Sequence, residues 1–286
     1  MDDPAAPRIH GRTRTVGIIG WPVTHSLSPA IHNAAFAALG LDMAYVPLPV
    51  RPGQVADALA GLRALGFVGA NVTMPHKTEI AERVDDLSGD AARLRAVNTI
   101  VVRDDGFLEG HNTDAPGFDR FLREDAGFDP AGRDALVYGA GGAARACALA
   151  LARGGLARLV LAVRDPARAD GVRDAVADAG VELRVVGMDQ AAEHPADLVV
   201  NATPLGGRGE HLGLPSLGGA QLVVDLLYDP PVTPLQTAAR EAGVPAFGGL
   251  GLLLHQAALS FELWTGQVAP LDTMSAAALG ALAERS

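Results

Sequence analysis

A lysine and an aspartate are the two residues of this sequence whose types and positions suit proton transfer. Lys77 comes shortly after an apolar run that ends at Val72, and Asp114 closes the polar segment Asn112-Thr113-Asp114. Each also has a plainer explanation, because an isolated lysine is usually a solvated surface charge and Asp114 can cap a following helix. If both follow strands of one open sheet, they meet at its ligand-binding edge, where a protonated amine can stabilise a developing oxyanion.

Two serines stand two positions apart in a turn after the first apolar run. Ser26 and Ser28 precede Pro29, which opens a helical pattern. Both hydroxyls can therefore face an anion or a sugar-like hydroxyl near the start of that helix. Ser28 with Pro29 at the first helical position also fits a simple helix cap, and the two interpretations can hold together.

A glycine-rich turn separates a β-rich pentad from an alanine-rich helical pattern. It reads Gly139-Ala140-Gly141-Gly142-Ala143-Ala144, which is G-x-G-x-x-A. The first glycine permits a tight turn, and the second lets the backbone approach a pyrophosphate at the positive end of the helix. A chain rich in glycine and alanine can also produce this pattern as a packing turn, but its place between strand and helix favours a dinucleotide site.

Alternating strand and helix patterns must position these groups. The first third of the chain predicts an α/β unit with a mostly parallel sheet. Its predicted strands cover residues 15–19, 44–50 and 68–72, and its predicted helices cover residues 29–39 and 55–65. Runs over 98–102 and 107–109 flank Asp104-Asp105-Gly106, a hairpin signal that predicts an antiparallel edge for this sheet.

The pattern restarts at Asp134 in the order expected of a nucleotide-binding fold, so the fold class is two-domain α/β. The glycine turn leads into a helix that ends at Arg153. Predicted strands of this second part cover residues 135–138, 158–163, 183–186, 198–201 and 222–225. Two last helices cover 251–264 and 273–284, and the pattern leaves open which sheet they join.

Length and charge narrow the class of protein. With 286 residues, the chain has room for about two domains at ~150 residues each. Asp and Glu number 33 against 23 for Lys and Arg, which gives a net charge of −10 without a basic cluster. Nucleic acid and anionic membranes are therefore not expected as partners. The expected partner is a small-molecule substrate.

Cysteine use and hydropathy favour a cytoplasmic enzyme. The one cysteine, Cys147, cannot form an internal disulfide, and the start Met1-Asp2-Asp3 does not indicate an export signal. The uncharged stretch 242–261 is long enough to span a membrane but contains Pro245 and His255. We expect a buried loop and helix there.

Five separated segments together resemble the shikimate dehydrogenase family, including its quinate/shikimate branch, over nearly the full chain. They are Ser26-Leu27-Ser28-Pro29 with His32-Asn33, Asn71-Val72-Thr73 with Pro75 and Lys77, Val97-Asn98-Thr99 with Asn112-Thr113-Asp114, Gly139 to Ala144, and Gly249-Leu250-Gly251 with Gln256. The resemblance implies an amino-terminal substrate-binding and catalytic domain over 1–114, completed by helices over 250–286. It also implies a Rossmann dinucleotide-binding domain over 115–249.

The resemblance implies roles for single residues. Lys77 and Asp114 would be the catalytic pair. The substrate carboxylate would meet Ser26, Ser28 and Tyr228, and the ring hydroxyls would meet Thr73, Asn98, Asp114 and Gln256. The cofactor would contact Gly139, Ala140, Gly141, Gly142, Ala143, Arg164, Asp165, Arg168, Thr203 and Gly249. No metal is implied, and the following histidines do not have the spacing of a metal site: His25, His32, His76 and His255.

The implied reaction is reversible reduction of 3-dehydroshikimate to shikimate, on the route to chorismate and aromatic amino acids. NADP is the expected cofactor, because Arg164 and Arg168 match arginines of NADP-using members and can bind a 2′-phosphate. Asp165 stands where those members have threonine, and a carboxylate there would favour NAD. Since Val163 closes the predicted strand, we expect Asp165 one step into the loop and able to turn toward solvent.

The main alternative is an NAD-linked quinate/shikimate or aminoshikimate dehydrogenase. Ser28 favours shikimate, because quinate-using members often have threonine at that position. A catalytically silent ligand-binding homologue would need the loss of Lys77 or Asp114, and both are present. The sequence leaves the oligomeric state open, with a homodimer as one option.

Overall fold

The computed structural model describes residues 9–207 and 211–285 of the chain. The described residues form two compact units. The first contains the chain up to Thr113 and again from Leu254 onward, and the second runs from Asp114 to Leu253. The carboxyl-terminal helices therefore return to the first unit, a point that the sequence pattern left open.

The first unit is built on a six-stranded sheet. Its strands are β1 (Arg14–Gly20), β2 (Met43–Pro49), β3 (Gly69–Val72), β4 (Asp86–Leu87), β5 (Thr99–Val102) and β6 (Leu108–His111). They are ordered β2-β1-β3-β5-β6-β4. β1, β2 and β3 are parallel, and β5 runs antiparallel to both β3 and β6. β6 therefore runs in the same direction as β1 and β3.

Four helices connect these strands. They are α1 (Ser28–Ala38), α2 (Val55–Ala64), α3 (Lys77–Ala81) and α4 (Gly89–Leu94). Apolar residues of α2 pack on those of the sheet in a buried core that includes Val55, Leu59, Ile19, Val72, Ile100 and Leu108. Removal of this apolar surface from water stabilises the alternating strand and helix order.

The predicted antiparallel hairpin of β5 and β6 is present, but its predicted place at the edge of the sheet is wrong. The two-residue strand β4 pairs in parallel with β6 and forms the outermost strand on that side. Two residues are too few to show a period-two pattern, so the sequence did not indicate β4.

The second unit is built on another six-stranded sheet. Its strands are β7 (Asp134–Tyr138), β8 (Arg158–Val163), β9 (Glu182–Gly187), β10 (Leu198–Asn201), β11 (Leu222–Asp225) and β12 (Ala246–Phe247). They are ordered β12-β11-β10-β7-β8-β9, and every pairing is parallel. Counted from β7, this is the doubly wound 3-2-1-4-5-6 order of dinucleotide-binding folds.

Four helices belong to this second part of the chain, and two longer helices follow. They are α5 (Asp114–Arg120), α6 (Gly142–Arg153), α7 (Asp170–Val176) and α8 (Pro234–Glu241), then α9 (Leu250–Thr265) and α10 (Leu271–Ala283). The stretch 242–261 contains the expected helix as most of α9, but the loop before it is largely exposed and leads into the unexpected short strand β12. Among the described residues, every helix lacks the length and hydropathy that crossing a membrane would require.

Candidate active site

Polar residues from four segments gather at one edge of the first unit's sheet. The carboxyl ends of β1, β3 and β6 share this edge with the amino end of antiparallel β5. Ser26 follows β1, Thr73 and Lys77 follow β3, Asn98 directly precedes β5, and Thr113 follows β6. Open α/β sheets bind ligands at this edge, so the predicted placement of Thr73 and Lys77 is confirmed.

The turn after β1 arranges its two serines around the start of α1. The Ser28 N–H donates to Ser26 Oγ over 3.2 Å, and Ser28 is 4% exposed. The expectation that Ser28 caps α1 is wrong, because Leu27 occupies the N-cap position and Ser28 is already helical. The acceptor is instead Ser26, two residues earlier, and the Ser28 hydroxyl interacts with the Tyr45 phenol.

Lys77 is the first residue of α3 and is half-buried. Its carbonyl oxygen accepts the Val97 N–H at 2.9 Å, which ties the start of α3 to the segment before β5. The preceding His76 is buried, and its Nε2 lies 2.7 Å from the Val50 carbonyl oxygen. The Lys77 side chain therefore extends from a backbone that is fixed on both sides.

Asn98 and Gln256 are in contact although they lie 158 positions apart. Asn98 is buried, and its Oδ1 accepts the Thr113 backbone N–H at 2.8 Å. Its Nδ2 donates to Thr113 Oγ1 at 2.9 Å and lies 3.4 Å from Gln256 Oε1. The structure thus brings together two residues that only the resemblance had linked.

The remaining predicted substrate residues divide between the units. Thr73 is half-buried, and its N–H donates to the Ile19 carbonyl oxygen at 2.8 Å. Asp114 is buried and begins α5, and Tyr228 is half-buried in the loop after β11. Both lie in the second unit, whereas the first unit contains Ser26, Ser28, Thr73, Lys77, Asn98 and Gln256.

The glycine turn between β7 and α6 fits a dinucleotide phosphate. Gly139 has a φ of +100°, and a Cβ there would come within 2.9 Å of Thr203 Cγ2, so the position requires glycine. α6 begins at Gly142 after Gly141, and a Cβ on either would meet no described atom within 4 Å. The N–H groups at this helix end can therefore receive a pyrophosphate. The other predicted residues of the turn, both half-buried, are Ala140 and Ala143.

The charged loop after β8 begins where the sequence predicted. β8 ends at Val163, and Arg164, Asp165 and Arg168 are exposed. Asp165 Oδ1 accepts the Ala167 N–H at 3.0 Å, so the carboxylate caps the short 3₁₀ turn that follows it. Arg164 and Arg168 supply the two guanidinium groups of this loop, which can bind a phosphate.

A buried carboxylate that the sequence analysis did not single out connects the loops after β10 and β11. Asp225 is fully buried and accepts hydrogen bonds from Asn201 Nδ2 at 3.0 Å, Thr233 Oγ1 at 2.7 Å and Leu227 N at 3.2 Å. Asn201 Oδ1 in turn accepts the N–H and the hydroxyl of Thr203. Burial raises the pKa of Asp225, and these hydrogen bonds oppose part of the shift.

Gly249 packs against the segment that leads to Tyr228. A Cβ at Gly249 would overlap the Leu226 carbonyl oxygen, and the Gly249 N–H donates to the Leu227 carbonyl oxygen at 2.9 Å. The glycine is thus required by close backbone packing. This contact gives a structural reason for its presence in the motif that the sequence analysis noted.

A second polar cluster, in the first unit, was also missed as a cluster. It consists of buried residues with at most 5% exposure: Asn71, Thr99, Thr113 and Ser260. The available signal was Asn71, a polar residue inside the otherwise apolar strand β3. Such a residue needs hydrogen-bond partners when it is buried. Ser260 gave no such signal, because α9 contains several other polar residues.

Known proteins match this chain in both sequence and structure. A family model described as the shikimate dehydrogenase substrate binding domain matches residues 18–100, and one described as the shikimate 5'-dehydrogenase C-terminal domain matches residues 249–279. The shikimate dehydrogenase (NADP(+)) of Moorella thermoacetica is 49% identical over 277 residues, which cover 93% of each chain.

Two solved structures illustrate the range of similar proteins. Shikimate 5-dehydrogenase of Thermus thermophilus, in complex with NADP(H) and shikimate, has a TM-score of 0.83 at 36% identity, with 94% of this chain and 99% of that chain covered. Quinate dehydrogenase of Corynebacterium glutamicum, in complex with NAD, has a TM-score of 0.85 at 33% identity and the same coverage. Because the sequence identity to the Moorella protein extends over nearly the whole of both chains, this chain belongs to the shikimate dehydrogenase family.

Proposed function

We propose that this enzyme reduces 3-dehydroshikimate to shikimate, and oxidises shikimate in reverse, with NADP as its cofactor. The observation that carries the proposal is that Lys77, Thr73 and Asn98 adjoin strand ends at the same edge of the first unit's sheet. The full-length identity to an NADP-dependent shikimate dehydrogenase supports it. The reaction is a step toward chorismate and the aromatic amino acids.

The use of basic residues in this chain points to Lys77 as the proton donor. Among the 23 basic residues, Lys77 is the only lysine, and the other 22 are arginines. Arginine therefore supplies every other permanent positive charge. A guanidinium stays protonated in proteins, whereas an ammonium can give up its proton and regain it. The one lysine of the sequence therefore stands at the position where proton transfer is proposed.

The proposed mechanism assigns each step to a residue of this chain. NADP, when bound, supplies or accepts the hydride at the ring carbon. Lys77 Nζ hydrogen-bonds to the reacting oxygen, stabilises the charge that develops there and delivers the proton. Asp114 supplies the carboxylate of the catalytic pair and accepts a hydrogen bond from a ring hydroxyl.

The other polar residues bind and orient. Ser26 and Ser28 donate hydrogen bonds from their hydroxyls to the substrate carboxylate, and Tyr228 contacts the same carboxylate. Thr73, Asn98 and Gln256 hold the ring hydroxyls. For the cofactor, Arg164 and Arg168 would hold the 2′-phosphate, and the N–H groups at the N-terminus of α6 would receive the pyrophosphate. The remaining residues proposed to contact the cofactor are Gly139, Ala140, Gly141, Gly142, Ala143, Asp165, Thr203 and Gly249.

An NAD-linked quinate/shikimate or aminoshikimate dehydrogenase is the second candidate. One observation favours it: Asp165 stands beside the two arginines, where a carboxylate repels a 2′-phosphate. The quinate dehydrogenase with NAD bound has the same fold. Initial rates with shikimate, quinate and aminoshikimate, each with NADP and NAD, separate the candidates. We expect the highest kcat/KM for shikimate with NADP, and a higher value for quinate with NAD would favour the second candidate.

Replacement of Lys77 tests the mechanism. Lys77→Arg keeps the positive charge but cannot deliver a proton, and Lys77→Met removes both functions. Both variants should lower kcat by about 10²- to 10⁴-fold, the usual range for a positioned acid, while the KM for NADP changes little. Steady-state rates in both directions measure the effect.

A nearby cation provides the matched control. Arg83→Met removes the exposed ion pair with Glu79 close to α3, and it should leave kcat unchanged. A Lys77→Arg enzyme with a normal kcat would show that charge alone suffices, and a normal kcat for Lys77→Met would remove Lys77 from the mechanism.

We also infer a cytoplasmic location, and a homodimer stays one option for the oligomeric state. A single buried thiol and NADP chemistry suit a reducing compartment. Cell fractionation tests the location, and light scattering of the purified enzyme tests the oligomeric state.

A further inference from the structure

Three buried hydroxyls and one amide meet beneath the proposed substrate residues of the first unit. Thr99 Oγ1 lies 2.7 Å from Ser260 Oγ, and Thr113 Oγ1 lies 3.2 Å from the same atom. Asn71 Nδ2 lies 3.0 Å from Ser260 Oγ and 3.1 Å from Thr99 Oγ1. These four residues, which we call the hydroxyl cluster, connect β3, β5, the end of β6 and α9.

The direction of hydrogen bonding is fixed at Asn71. The Tyr45 phenol donates to Asn71 Oδ1 at 2.7 Å, so this oxygen is an acceptor. Asn71 Nδ2 also lies 3.2 Å from the Asn98 carbonyl oxygen, which can only accept. Asn71 Nδ2 is therefore the donor toward the Asn98 carbonyl oxygen, Thr99 and Ser260, which share its two hydrogens. Neither hydroxyl can donate to Asn71 Nδ2, so both hydroxyl protons must be directed elsewhere.

The same direction continues to Asn98. A backbone N–H can only donate, so the 2.8 Å contact from Thr113 N identifies Asn98 Oδ1 as the acceptor. Thr99 Oγ1 also donates to Asn98 Oδ1, at 3.0 Å. The lone pairs of Asn98 Oδ1 are thus engaged from within the hydroxyl cluster, and Nδ2 is the end of the amide that points toward Gln256.

Ser260 extends the arrangement to Gln256. Ser260 Oγ lies 2.9 Å from the Gln256 carbonyl oxygen, one helical turn earlier in α9, and 2.7 Å from Thr99 Oγ1. Because the Thr99 proton is directed to Asn98 Oδ1, the single proton of Ser260 must serve the shorter of these two contacts, so Ser260 donates to Thr99. Asn98 Nδ2 reaches Gln256 Oε1 at 3.4 Å, a long contact that a substrate oxygen can replace. Gln256 Nε2 is then the donor end of that side chain.

We propose that Thr99 and Ser260 are positioning residues, which orient the Asn98 and Gln256 amides so that their N–H groups donate to ring hydroxyl oxygens of the substrate. This inference rests on the proposed function. The hydroxyls do not touch the substrate. Thr99 acts by donating to Asn98 Oδ1, and Ser260 acts by donating to Thr99 and so fixing the direction of its proton. Together they prevent a flip of the Asn98 amide, which would present its carbonyl oxygen to the ring hydroxyl and turn Nδ2 away from Gln256 Oε1.

The test compares isosteric and conservative changes at Thr99. Thr99→Val keeps the shape and removes the hydroxyl, and Asn71 keeps Ser260 Oγ and the Asn98 carbonyl oxygen as acceptors. Loss of one neutral hydrogen bond should raise the KM for shikimate about 3- to 10-fold without changing the KM for NADP. Thr99→Ser retains the hydroxyl and should stay within about twofold of wild type.

A double-mutant cycle with Asn98→Ala shows whether Thr99 acts through Asn98. kcat/KM for shikimate is measured at low substrate, so it stays readable when KM is high. We expect Thr99→Val to change kcat/KM by less than about twofold in the Asn98→Ala background, because the oriented group is already gone. An equal loss in both backgrounds would overturn the proposal, as would a normal KM for Thr99→Val.

Ser260 has a matched control on its own helix. Thr265 Oγ1 donates to the Phe261 carbonyl oxygen at 2.8 Å, a contact one helical turn back like that between Ser260 Oγ and the Gln256 carbonyl oxygen, but it lies outside the hydroxyl cluster. Ser260→Ala should raise the KM for shikimate, and Thr265→Ala should not. Equal KM values for the two variants would mean that the Ser260 hydroxyl only supports the helix.

The outcome for wild type separates this inference from the proposed function. Absence of shikimate oxidation by the wild-type enzyme would contradict the proposed function. Failure of the Thr99 and Ser260 variants to change KM in an active enzyme would contradict only the positioning role.

Discussion

A neutral cluster organises the proposed site of the first unit, and a buried carboxylate organises the second. The hydroxyl cluster joins Asn71 and Ser260 through amides and hydroxyls, whereas Asp225 gathers Asn201 and Thr233 around one negative charge. A hydroxyl can accept a hydrogen bond from one amide and donate one to the next, so the orientation of the first amide determines that of the second. A carboxylate only accepts hydrogen bonds, so it holds donors in place but does not determine the orientation of a further group.

The difference between a neutral cluster and a buried carboxylate matches the proposed task of each unit. In the proposed site the first unit places donors against ring hydroxyls, and a directional neutral cluster would do this without an added charge. The second unit must hold two loops in fixed shape, those after β10 and β11. A buried acceptor with several donors achieves this, because hydrogen bonds to a charged group are stronger than those between neutral groups.

The largest expected effect separates the two clusters by stability. Asp225→Ala leaves the Asn201, Leu227 and Thr233 donors buried without their acceptor, and should lower the free energy of unfolding by about 3 kcal/mol or more. Thr99→Val leaves Asn71 with other acceptors and should cost about 1 kcal/mol. Urea unfolding measures both values. Equal losses would contradict the distinction between a charged and a neutral cluster.

His32 in the first unit and Asp225 in the second should contribute to the pH dependence of stability with opposite signs. Burial lowers the pKa of His32 to about 3, and the nearby Asn71 side chain offsets part of the shift. His32 stacks on Tyr45, whose phenol donates to the hydroxyl cluster. Between pH 6.5 and 3 the unfolded chain binds a proton at His32 that the folded chain does not, so stability falls as the pH falls. The loss at pH 4.5 is about 3 kcal/mol.

The raised pKa of Asp225 has the opposite sign. Its charged form is disfavoured in the folded state, so acidification removes a penalty and the second unit gains stability as Asp225 takes up its proton. Both tryptophans, Trp21 and Trp264, lie in the first unit, so tryptophan fluorescence reports on that unit during an acid titration. His32→Phe should flatten the fluorescence transition below pH 6.5. His25→Asn, at an exposed position, should leave it unchanged, and an unaltered transition in His32→Phe would contradict the assignment.

The sequence predicted the regular elements better than these clusters. The strands β8, β10 and β11 have the predicted bounds, because fully buried parallel strands appear as short apolar runs between turns. The two-residue strands β4 and β12 have no such pattern. The family motifs pointed to Asn98 and Gln256, but the hydroxyl cluster depends on Ser260, which lies 189 positions from Asn71. Contacts this distant in sequence leave no local periodicity.

Salt and charge should distinguish the cofactor loop from the hydroxyl cluster. Arg164→Ala should raise the KM for NADP about tenfold, with little change for NAD, since it removes a charged contact to the 2′-phosphate. Asp165→Ser keeps a side chain that can cap the 3₁₀ turn and removes the negative charge, so it should lower the KM for NADP about 2- to 5-fold.

The ionic-strength dependence completes that test. Both effects involve exposed charges and should shrink between low and high salt, whereas the KM effect of Thr99→Val should not. A wild-type kcat/KM that is higher with NAD than with NADP would show that Asp165 accepts hydrogen bonds from the ribose hydroxyls of NAD, in addition to capping the 3₁₀ turn.

The smallest expected effect concerns Arg285, near the carboxyl end of the chain. Its Nη1 donates to the His25 carbonyl oxygen at 2.8 Å and its Nη2 to the Ser26 carbonyl oxygen at 3.3 Å, so a single guanidinium holds the loop of the proposed carboxylate site. Arg285 is exposed, and water competes for both bonds, so Arg285→Ala should raise the KM for shikimate only about 2- to 3-fold. Arg285→Lys keeps the charge but not the two-pronged contact. A normal KM for Arg285→Lys with a raised KM for Arg285→Ala would mean that Arg285 acts by attracting the anionic substrate. Raised KM values for both, with Arg12→Ala unchanged as an exposed control, would mean that it acts by holding the loop.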